Sequence, residues 1–161
     1  MTDTIFDGHD HGRCQGMALD AVDAQCAARG LRLTPVRRDV LEILLKSHRA
    51  LGAYDLLDEL KARGHKAQPP VAYRALDFLL SNGFVHKIEQ RNAYVACCQP
   101  GKAHAPGFMI CRGCDLVAEL PSPDPQDSVM VAARQIGFAV ERTVVEAEGL
   151  CPACKREEEE A

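Results

Sequence analysis

Two pairs of cysteines near the end of the chain have the residue type and spacing of metal ligands. Two residues separate Cys111 from Cys114, and two separate Cys151 from Cys154. This spacing lets both thiolates of a C-x-x-C knuckle reach one ion, and two knuckles supply the four tetrahedral sulfur ligands of a structural zinc. Because 36 residues lie between the knuckles, such an ion would join the two ends of a small domain. The alternatives are two unrelated buried pairs or disulfides.

The composition favours a cytoplasmic protein whose thiolates bind metal. The 161 residues are 47% hydrophobic, which is enough for one packed domain or two small ones. Eight cysteines would suggest disulfides in a secreted protein, but the polar residues 1–10 lack the apolar segment of a signal peptide. The sequence contains no run of 18 apolar residues, so we expect no membrane span.

Charge is unevenly distributed along the chain. Residues 17–95 carry 12 basic and 9 acidic residues, whereas residues 96–161 carry 6 basic and 11 acidic residues. A mildly basic first half joined to an acidic second half indicates two parts with separate roles. The net charge of −4 therefore does not exclude DNA as a partner.

The first half of the chain has the pattern of helices followed by a hairpin. Residues 1–16 lack periodicity and are expected to form a disordered arm. Helices are predicted over residues 17–29, from Thr34-Pro35 onward, over 53–63 and over 70–82. Strands over 84–89 and 93–97 enclose a polar turn. This is the layout of a winged helix-turn-helix over residues 17–97, with the fourth helix as the recognition helix.

The second half is predicted to be a separate module. Residues 98–106 have the composition of a linker. Strands over 108–111, 116–120 and 138–147, a helix over 128–136 and a frayed acidic tail are expected within residues 107–161. The fold class is therefore α+β, a winged helix-turn-helix plus a small C-terminal α/β domain. A metal ion would contribute to the stability of a module of about 55 residues.

Two arginines in the second helix suggest a nearby anion. Arg37 and Arg38 lie in its first turn, where the helix dipole disfavours cations. A phosphate would offset that cost, although two solvated arginines are an equally good account. In the fourth helix, Arg74 lies on the face opposite the apolar one.

Several segments together resemble the ferric uptake regulator family, and within it the zinc uptake regulator branch. They are Pro69–Leu80, Gly83–Lys87, Tyr94 and the double C-x-x-C. The resemblance covers roughly residues 18 to 155. It implies a homodimeric, metal-activated repressor that binds operator DNA, with a winged helix, a hinge over 98–106 and a dimerisation domain over 107–161.

The resemblance also implies two zinc ions per chain. Cys111, Cys114, Cys151 and Cys154 would hold a structural zinc. A regulatory zinc at the hinge would be bound by His86, Cys97, His104 and Glu119. One thiolate, one carboxylate and two neutral imidazoles carry a charge of −2, which Zn²⁺ neutralises, and a mixed N, S and O set suits zinc.

The chain departs from the family pattern at three places. The iron-type branch has a histidine-rich run before the first knuckle, whereas only His104 is present here. Val71-Ala72 replaces the usual Thr-Val pair before Tyr73-Arg74, which removes a hydroxyl. Cys98 follows Cys97 directly, so either cysteine could be the ligand.

We therefore predict a zinc-responsive repressor of zinc-uptake genes. Its DNA-binding residues would be Tyr54, Tyr73, Arg74, Arg37 and Arg38. Double-stranded DNA and a second copy of the chain are the expected partners, with no membrane and no small organic substrate. The alternative is a regulator in the same family that senses iron, or peroxide through its cysteines. An enzyme is not expected, since a zinc hydrolase motif such as H-E-x-x-H is absent. Whether His9, His11 and Cys14 bind a further zinc stays open.

Overall fold

A computed structural model of the chain describes residue 6 and residues 10–101, 106–120 and 127–161. The chain divides into two compact units, an N-terminal unit of Gly8–Lys102 and a C-terminal unit built on Ala103–Ala161. The division falls within the predicted linker. Within the described ranges, no helix is long and apolar enough to cross a membrane.

Four helices make up most of the N-terminal unit. They are α1 (His11–Arg29), α2 (Pro35–Lys46), α3 (Ala53–Ala62) and α4 (Pro69–Ser81). The predicted cap of α2 is confirmed, since Thr34 Oγ1 accepts a hydrogen bond from the Arg37 backbone N–H at 3.4 Å. Proline occupies the first position of both α2 and α4, where its missing N–H has no helical partner to lose.

Helix α1 begins earlier than the sequence predicted. The expectation of a disordered arm over residues 1–16 is wrong for residues 11–16, which form the first turns of α1. Asp10 starts the helix, because its side chain accepts a hydrogen bond from the Arg13 backbone N–H at 3.2 Å. The helix ends at Gly30, as predicted, with φ of 64°.

A two-stranded hairpin follows α4 directly. Strands β1 (Val85–Ile88) and β2 (Ala93–Ala96) are antiparallel, and Asn92 completes the turn between them with φ of 46°. Leu51, in the α2–α3 loop, exchanges two backbone hydrogen bonds with Tyr94. Helices α2 to α4 followed by this hairpin form a winged helix-turn-helix, which confirms the predicted fold of this half.

The core of the N-terminal unit lies between the four helices and the hairpin. Its fully buried side chains include Val40, Leu56, Leu60, Leu79 and Phe84. Cys26 packs in the same core, and burial raises the pKa of its thiol. Each fully buried leucine or phenylalanine contributes about 1.5–3 kcal/mol, so this core fixes the helices that carry the exposed residues considered below.

In its described residues, the C-terminal unit combines a three-stranded sheet with two helices. The strands are β3 (Gly107–Cys111), β4 (Val117–Glu119) and β5 (Val145–Gly149), and the helices are α5 (Asp127–Gln135) and α6 (Pro152–Glu160). Strand β3 is central, antiparallel to β4 and parallel to β5. This unit is mixed α and β, as the sequence predicted.

Two sequence predictions in this unit are wrong. The long strand expected over 138–147 begins only at Val145, because its partner β3 offers five residues for pairing, from Gly107 to Cys111. The acidic tail expected to fray is instead helical through Glu160. The helix begins after Cys151, whose side chain accepts a hydrogen bond from the Cys154 backbone N–H at 3.5 Å.

Candidate functional site

The two knuckles meet because β3 and β5 run parallel. Cys111 ends β3 and pairs with Gly149, the last residue of β5. The remaining residues of both knuckles therefore follow at the same end of the sheet. In addition, the Arg112 backbone N–H donates to Gly149 O at 2.8 Å, which joins the first knuckle to the segment that leads into the second.

The four cysteines form a cluster with the dimensions of a zinc site. The Sγ atoms of Cys111, Cys114, Cys151 and Cys154 all lie within 4.8 Å of one another. All four are free thiols, and the sulfur atoms of Cys114 and Cys151 are 3.8 Å apart. In a tetrahedral site with zinc–sulfur bonds of about 2.3 Å, two sulfur atoms lie about 3.8 Å apart. The residues present therefore fit a zinc ion.

The electrostatics of the cluster also favour a cation. Burial acts to raise the pKa of the Cys111 thiol, but backbone N–H groups, foremost that of Cys151 at 3.3 Å, lower it to about 6. The pKa of Cys114 is raised by burial. The pKa of Cys154 is raised by its hydrogen bond to Cys151. One thiolate thus forms readily while its neighbours resist a second negative charge, which a divalent cation would offset.

Close packing fixes the first knuckle against helix α6. A Cβ atom added to Gly113 would lie 2.9 Å from Cys154 Sγ, so only glycine fits there without displacing the sulfur. The Arg112 guanidinium also contacts both carboxylate oxygens of Glu158 at 3.0 Å. The helical pattern of the tail was missed from the sequence, and with it this contact.

The hairpin brings together two of the four predicted regulatory ligands. His86 lies on β1 and Cys97 follows β2, and a ring nitrogen of His86 lies within 4.8 Å of Cys97 Sγ. Cys97 is 1% exposed, and its backbone N–H donates to Phe84 O at 3.0 Å, which extends the hairpin by one pair. Cys98 is exposed. This placement favours Cys97 over Cys98 as the sulfur ligand.

The other two predicted regulatory ligands belong to the second half of the chain. Glu119 is the last residue of β4, is half-buried and pairs in register with Phe108. His104 lies outside the described residues.

Three of the predicted DNA-binding side chains are exposed on the helix-turn-helix. Tyr54 lies in the first turn of α3 and is 68% exposed. Tyr73 is 41% exposed, and Arg74 beside it is exposed as well. Exposed aromatic side chains are available to contact a partner, and an adjacent arginine suits an anionic or hydrogen-bonding partner.

Arg37 and Arg38 have intramolecular partners. The Arg37 guanidinium carbon lies 3.8 Å from the ring centroid of Phe78, and its Nη1 donates to Arg32 O at 2.7 Å. Arg38 forms a close ion pair with Asp23, whose hydrogen bond raises the pKa of the guanidinium. These partners offset part of the dipole cost without a phosphate, which the sequence could not reveal.

Of the three N-terminal residues considered as ligands of a further zinc, His11 makes contacts within the N-terminal unit. His11 Nε2 hydrogen-bonds to Lys46 O, the last carbonyl of α2, at 2.7 Å, and its ring contacts that of His48. Cys14 is half-buried on the same helix, and His9 lies outside the described residues. His11 therefore joins the start of α1 to the end of α2.

The C-terminal unit exposes an apolar groove between α5 and residues 138–144, which we call the α5 groove. Its volume is about 670 Å³, and its lining includes Val129, Ile136, Phe138 and Val144. Ile136 is 79% exposed and Phe138 is 64% exposed. Contiguous exposed apolar residues of this kind mark a surface that binds a partner.

Comparison with known proteins relates this arrangement to one family. The model of the ferric uptake regulator family matches residues 28–147. The chain is 46% identical over 132 residues to the zinc uptake regulation protein of Escherichia coli (strain K12), which covers 80% of this chain and 76% of that protein.

Two solved structures are similar along most of the chain. A zinc uptake regulator complexed with zinc and DNA has a TM-score of 0.84 and 41% identity, covering 90% of this chain and 97% of that one. Holo XcZur has a TM-score of 0.77 and 41% identity, covering 86% and 96%. The family model and the sequence identity agree with the resemblance found in the recognition helix and the knuckles. The chain belongs to the ferric uptake regulator family.

Proposed function

We propose that the chain is a zinc-responsive transcriptional repressor that binds operator DNA as a zinc-loaded homodimer in the cytoplasm and controls zinc-uptake genes. The observation that carries the proposal is the likeness to a zinc uptake regulator complexed with zinc and DNA, at a TM-score of 0.84. The exposed Tyr54, Tyr73 and Arg74 on a helix-turn-helix support the DNA-binding part. No residue is assigned a catalytic role.

The first zinc ion has a structural role in this proposal. Cys111, Cys114, Cys151 and Cys154 hold it and thereby join β3, β5 and α6. The spacing of their sulfur atoms and the low pKa of Cys111 support this assignment. Because such a site does not exist in the unfolded chain, its binding free energy contributes directly to folding of the C-terminal unit.

The second zinc ion is the signal. We assign it to His86, Cys97, His104 and Glu119, which come from the hairpin, the linker and the C-terminal unit. The proximity of His86 and Cys97 supports half of this set. An ion bound by all three segments restricts the hinge over residues 98–106. If the restricted state is the one that fits DNA, zinc and DNA each increase affinity for the other by the same factor.

DNA recognition is assigned to the helix-turn-helix of residues 17–97. Arg74 donates to the O6 and N7 atoms of a guanine, while Tyr54 and Tyr73 make further contacts. Arg37 and Arg38 bind phosphates. Each guanidinium has five N–H donors, so the contacts with Phe78 and Asp23 leave donors for a phosphate oxygen.

Dimerisation is assigned to residues 107–161, through the α5 groove. A second copy of the chain is the occupant we propose, because dimeric helix-turn-helix proteins place two recognition helices on two half-sites about one helical turn apart. The exposed Val129, Ile136, Phe138 and Val144 support an apolar interface, since a homodimer interface is more apolar than the rest of the surface.

The experiment that tests the proposal measures DNA binding against buffered free zinc. A duplex selected from a random library by the zinc-loaded chain serves as the probe, with fluorescence anisotropy as the readout. Loss of a residue that merely supports a metal ligand costs about 10–100-fold in metal affinity, so Cys97→Ser should need at least tenfold more free zinc. Cys98→Ser is the matched control and should respond as the wild type does.

Two results would contradict the proposal. A Cys97→Ser variant with the wild-type zinc response would remove Cys97 from the regulatory site. If DNA binding by the wild-type chain depended on the Fe²⁺ concentration, the iron-sensing alternative would be supported instead. If it were lost on peroxide treatment at constant bound zinc, the peroxide-sensing alternative would be supported.

A further inference from the structure

The C-terminal end of α4 is held by an arginine from another helix. Arg29, the last residue of α1, donates from Nη2 to Asn82 Oδ1 at 2.8 Å and from Nη1 to Asn82 O at 3.3 Å. Asn82 is the C-cap of α4, and 53 residues separate it from Arg29. Two donors of one planar guanidinium thus contact both oxygens of the same cap residue, which is a geometry that a lysine cannot reproduce.

This contact completes the end of the helix. The last turn of α4 contains no basic residue of its own, although a cation there would interact favourably with the helix dipole. Arg29 supplies that charge from α1. Asn82 in turn donates from Nδ2 to Phe78 O at 2.7 Å, a carbonyl in the last turn of α4. A chain of hydrogen bonds therefore runs from α1 through the cap into α4.

The same arginine also reaches the start of the hairpin. Its guanidinium carbon lies 6.0 Å from the ring centroid of Phe84, which is fully buried and immediately precedes β1. Phe84 O accepts the hydrogen bond from Cys97 N at 3.0 Å. Arg29 thus contacts residues on both sides of the turn that joins α4 to the strand bearing His86.

We propose that Arg29 is a positioning residue for sequence-specific DNA recognition, which fixes the end of α4 against α1 and so sets the orientation in which Arg74 meets the bases. The inference rests on the proposed function, because it requires α4 to be the recognition helix. Arg29 acts through Asn82 and not through a contact with DNA. If α4 is displaced, the domain still binds phosphates. Loss of the Arg29 side chain should therefore reduce discrimination between sequences more than it reduces total affinity.

The test compares the affinity of the zinc-loaded chain for its selected duplex with its affinity for a scrambled duplex, over a range of salt concentrations. We expect Arg29→Ala to lower this specificity ratio about tenfold and to leave the slope of log K against log salt unchanged. Asn82→Ala should have the same effect, and the double variant should be no worse than either single variant. Arg13→Ala, an exposed arginine at the other end of α1, is the control and should keep the ratio.

A second variant separates positioning from folding. Arg29→Lys retains the charge but not the contact with both Asn82 oxygens, so the specificity ratio should fall while the melting temperature stays near that of the wild type. Equal losses on both duplexes with a slope reduced by about one would identify a direct phosphate contact and overturn the proposal. An unchanged ratio in Arg29→Ala would also overturn it. A wild-type chain without specific binding would instead contradict the proposed function itself.

Discussion

Gly113 shows how tightly single residues determine the four-cysteine cluster. The space beside its Cα is taken by Cys154, whose Sγ would lie 2.9 Å from an added Cβ. Real Cβ atoms do not approach sulfur so closely, so either the knuckle or the sulfur must move. A sulfur displaced by a few tenths of an ångström no longer fits a bond length of about 2.3 Å to the ion. The identity of a residue that binds nothing therefore matters to the metal.

We expect Gly113→Ala to weaken zinc binding at the four-cysteine site. Competition with a chelator, followed by measurement of bound zinc per chain, should show at least a tenfold loss of affinity. Gly149→Ala is the matched control in the same unit, since an added Cβ there meets no atom within 4 Å. Equal zinc affinities in the two variants would show that the first knuckle tolerates the added methyl group.

Arg74 on α4 is the residue that we propose contacts base edges. Replacement by alanine removes the proposed donor to base edges but no buried contact, because Arg74 is exposed on α4. We expect a loss of about 1–3 kcal/mol in binding to the selected duplex and relaxed preference at one base pair. Binding to a panel of single-base variants of the duplex measures this. A loss that is uniform across the panel would identify a phosphate contact instead.

Features that depend only on residues close together in the sequence were predictable. The C-x-x-C pairs were evident because each knuckle is four residues long, and Thr34-Pro35 was evident because a cap acts on the next turn. The partners of Arg37 and Arg38 were not predictable. Phe78 lies 41 residues from Arg37 along the chain, and only the packing of α2 on α4 brings them together.

Among the elements, helices with an apolar stripe were predicted closely. Helix α2 begins where it was expected to, and α3 and α4 begin and end within about a residue of their expected bounds. The errors occur where a helix covers a segment without an apolar stripe, as α1 does after Asp10 and α6 does after Cys151. Strand β5 was overestimated because its length depends on the five residues of its partner β3, which a local pattern does not contain.

Thr34 caps helix α2 and stabilises its first turn. Helix α2 carries the buried residues Val40, Leu41 and Leu44, so its first turn supports the centre of the N-terminal core. We expect Thr34→Ala to lower the free energy of unfolding of this unit by about 0.5–2 kcal/mol, since the Arg37 N–H loses its acceptor. Thr34→Ser keeps the hydroxyl and should change stability by less than half as much, as measured by chemical denaturation. Equal losses in both variants would assign the effect to the lost methyl packing.

In the whole molecule, the exposed residues of the helix-turn-helix and the four-cysteine cluster belong to different units. The N-terminal unit presents exposed Tyr54, Tyr73 and Arg74, and the C-terminal unit contains the four-cysteine cluster. The basic excess of residues 17–95 and the acidic excess of 96–161 follow the same division. The total charge of −4 is therefore a poor guide to DNA binding, because attraction to phosphates depends on local charge.

Dimerisation through the α5 groove is the prediction that concerns the whole molecule. Ile136 lines the groove and is 79% exposed, so a glutamate in its place would bury a charge at the interface. We expect Ile136→Glu to raise the dimer dissociation constant at least tenfold, as measured by sedimentation equilibrium, and to weaken binding to a duplex with two half-sites. Val131→Glu is the control, since Val131 is 50% exposed on α5, the helix that precedes Ile136, but does not line the groove. If Ile136→Glu leaves the dimer intact and Val131→Glu disrupts it, the interface lies on the other face of α5.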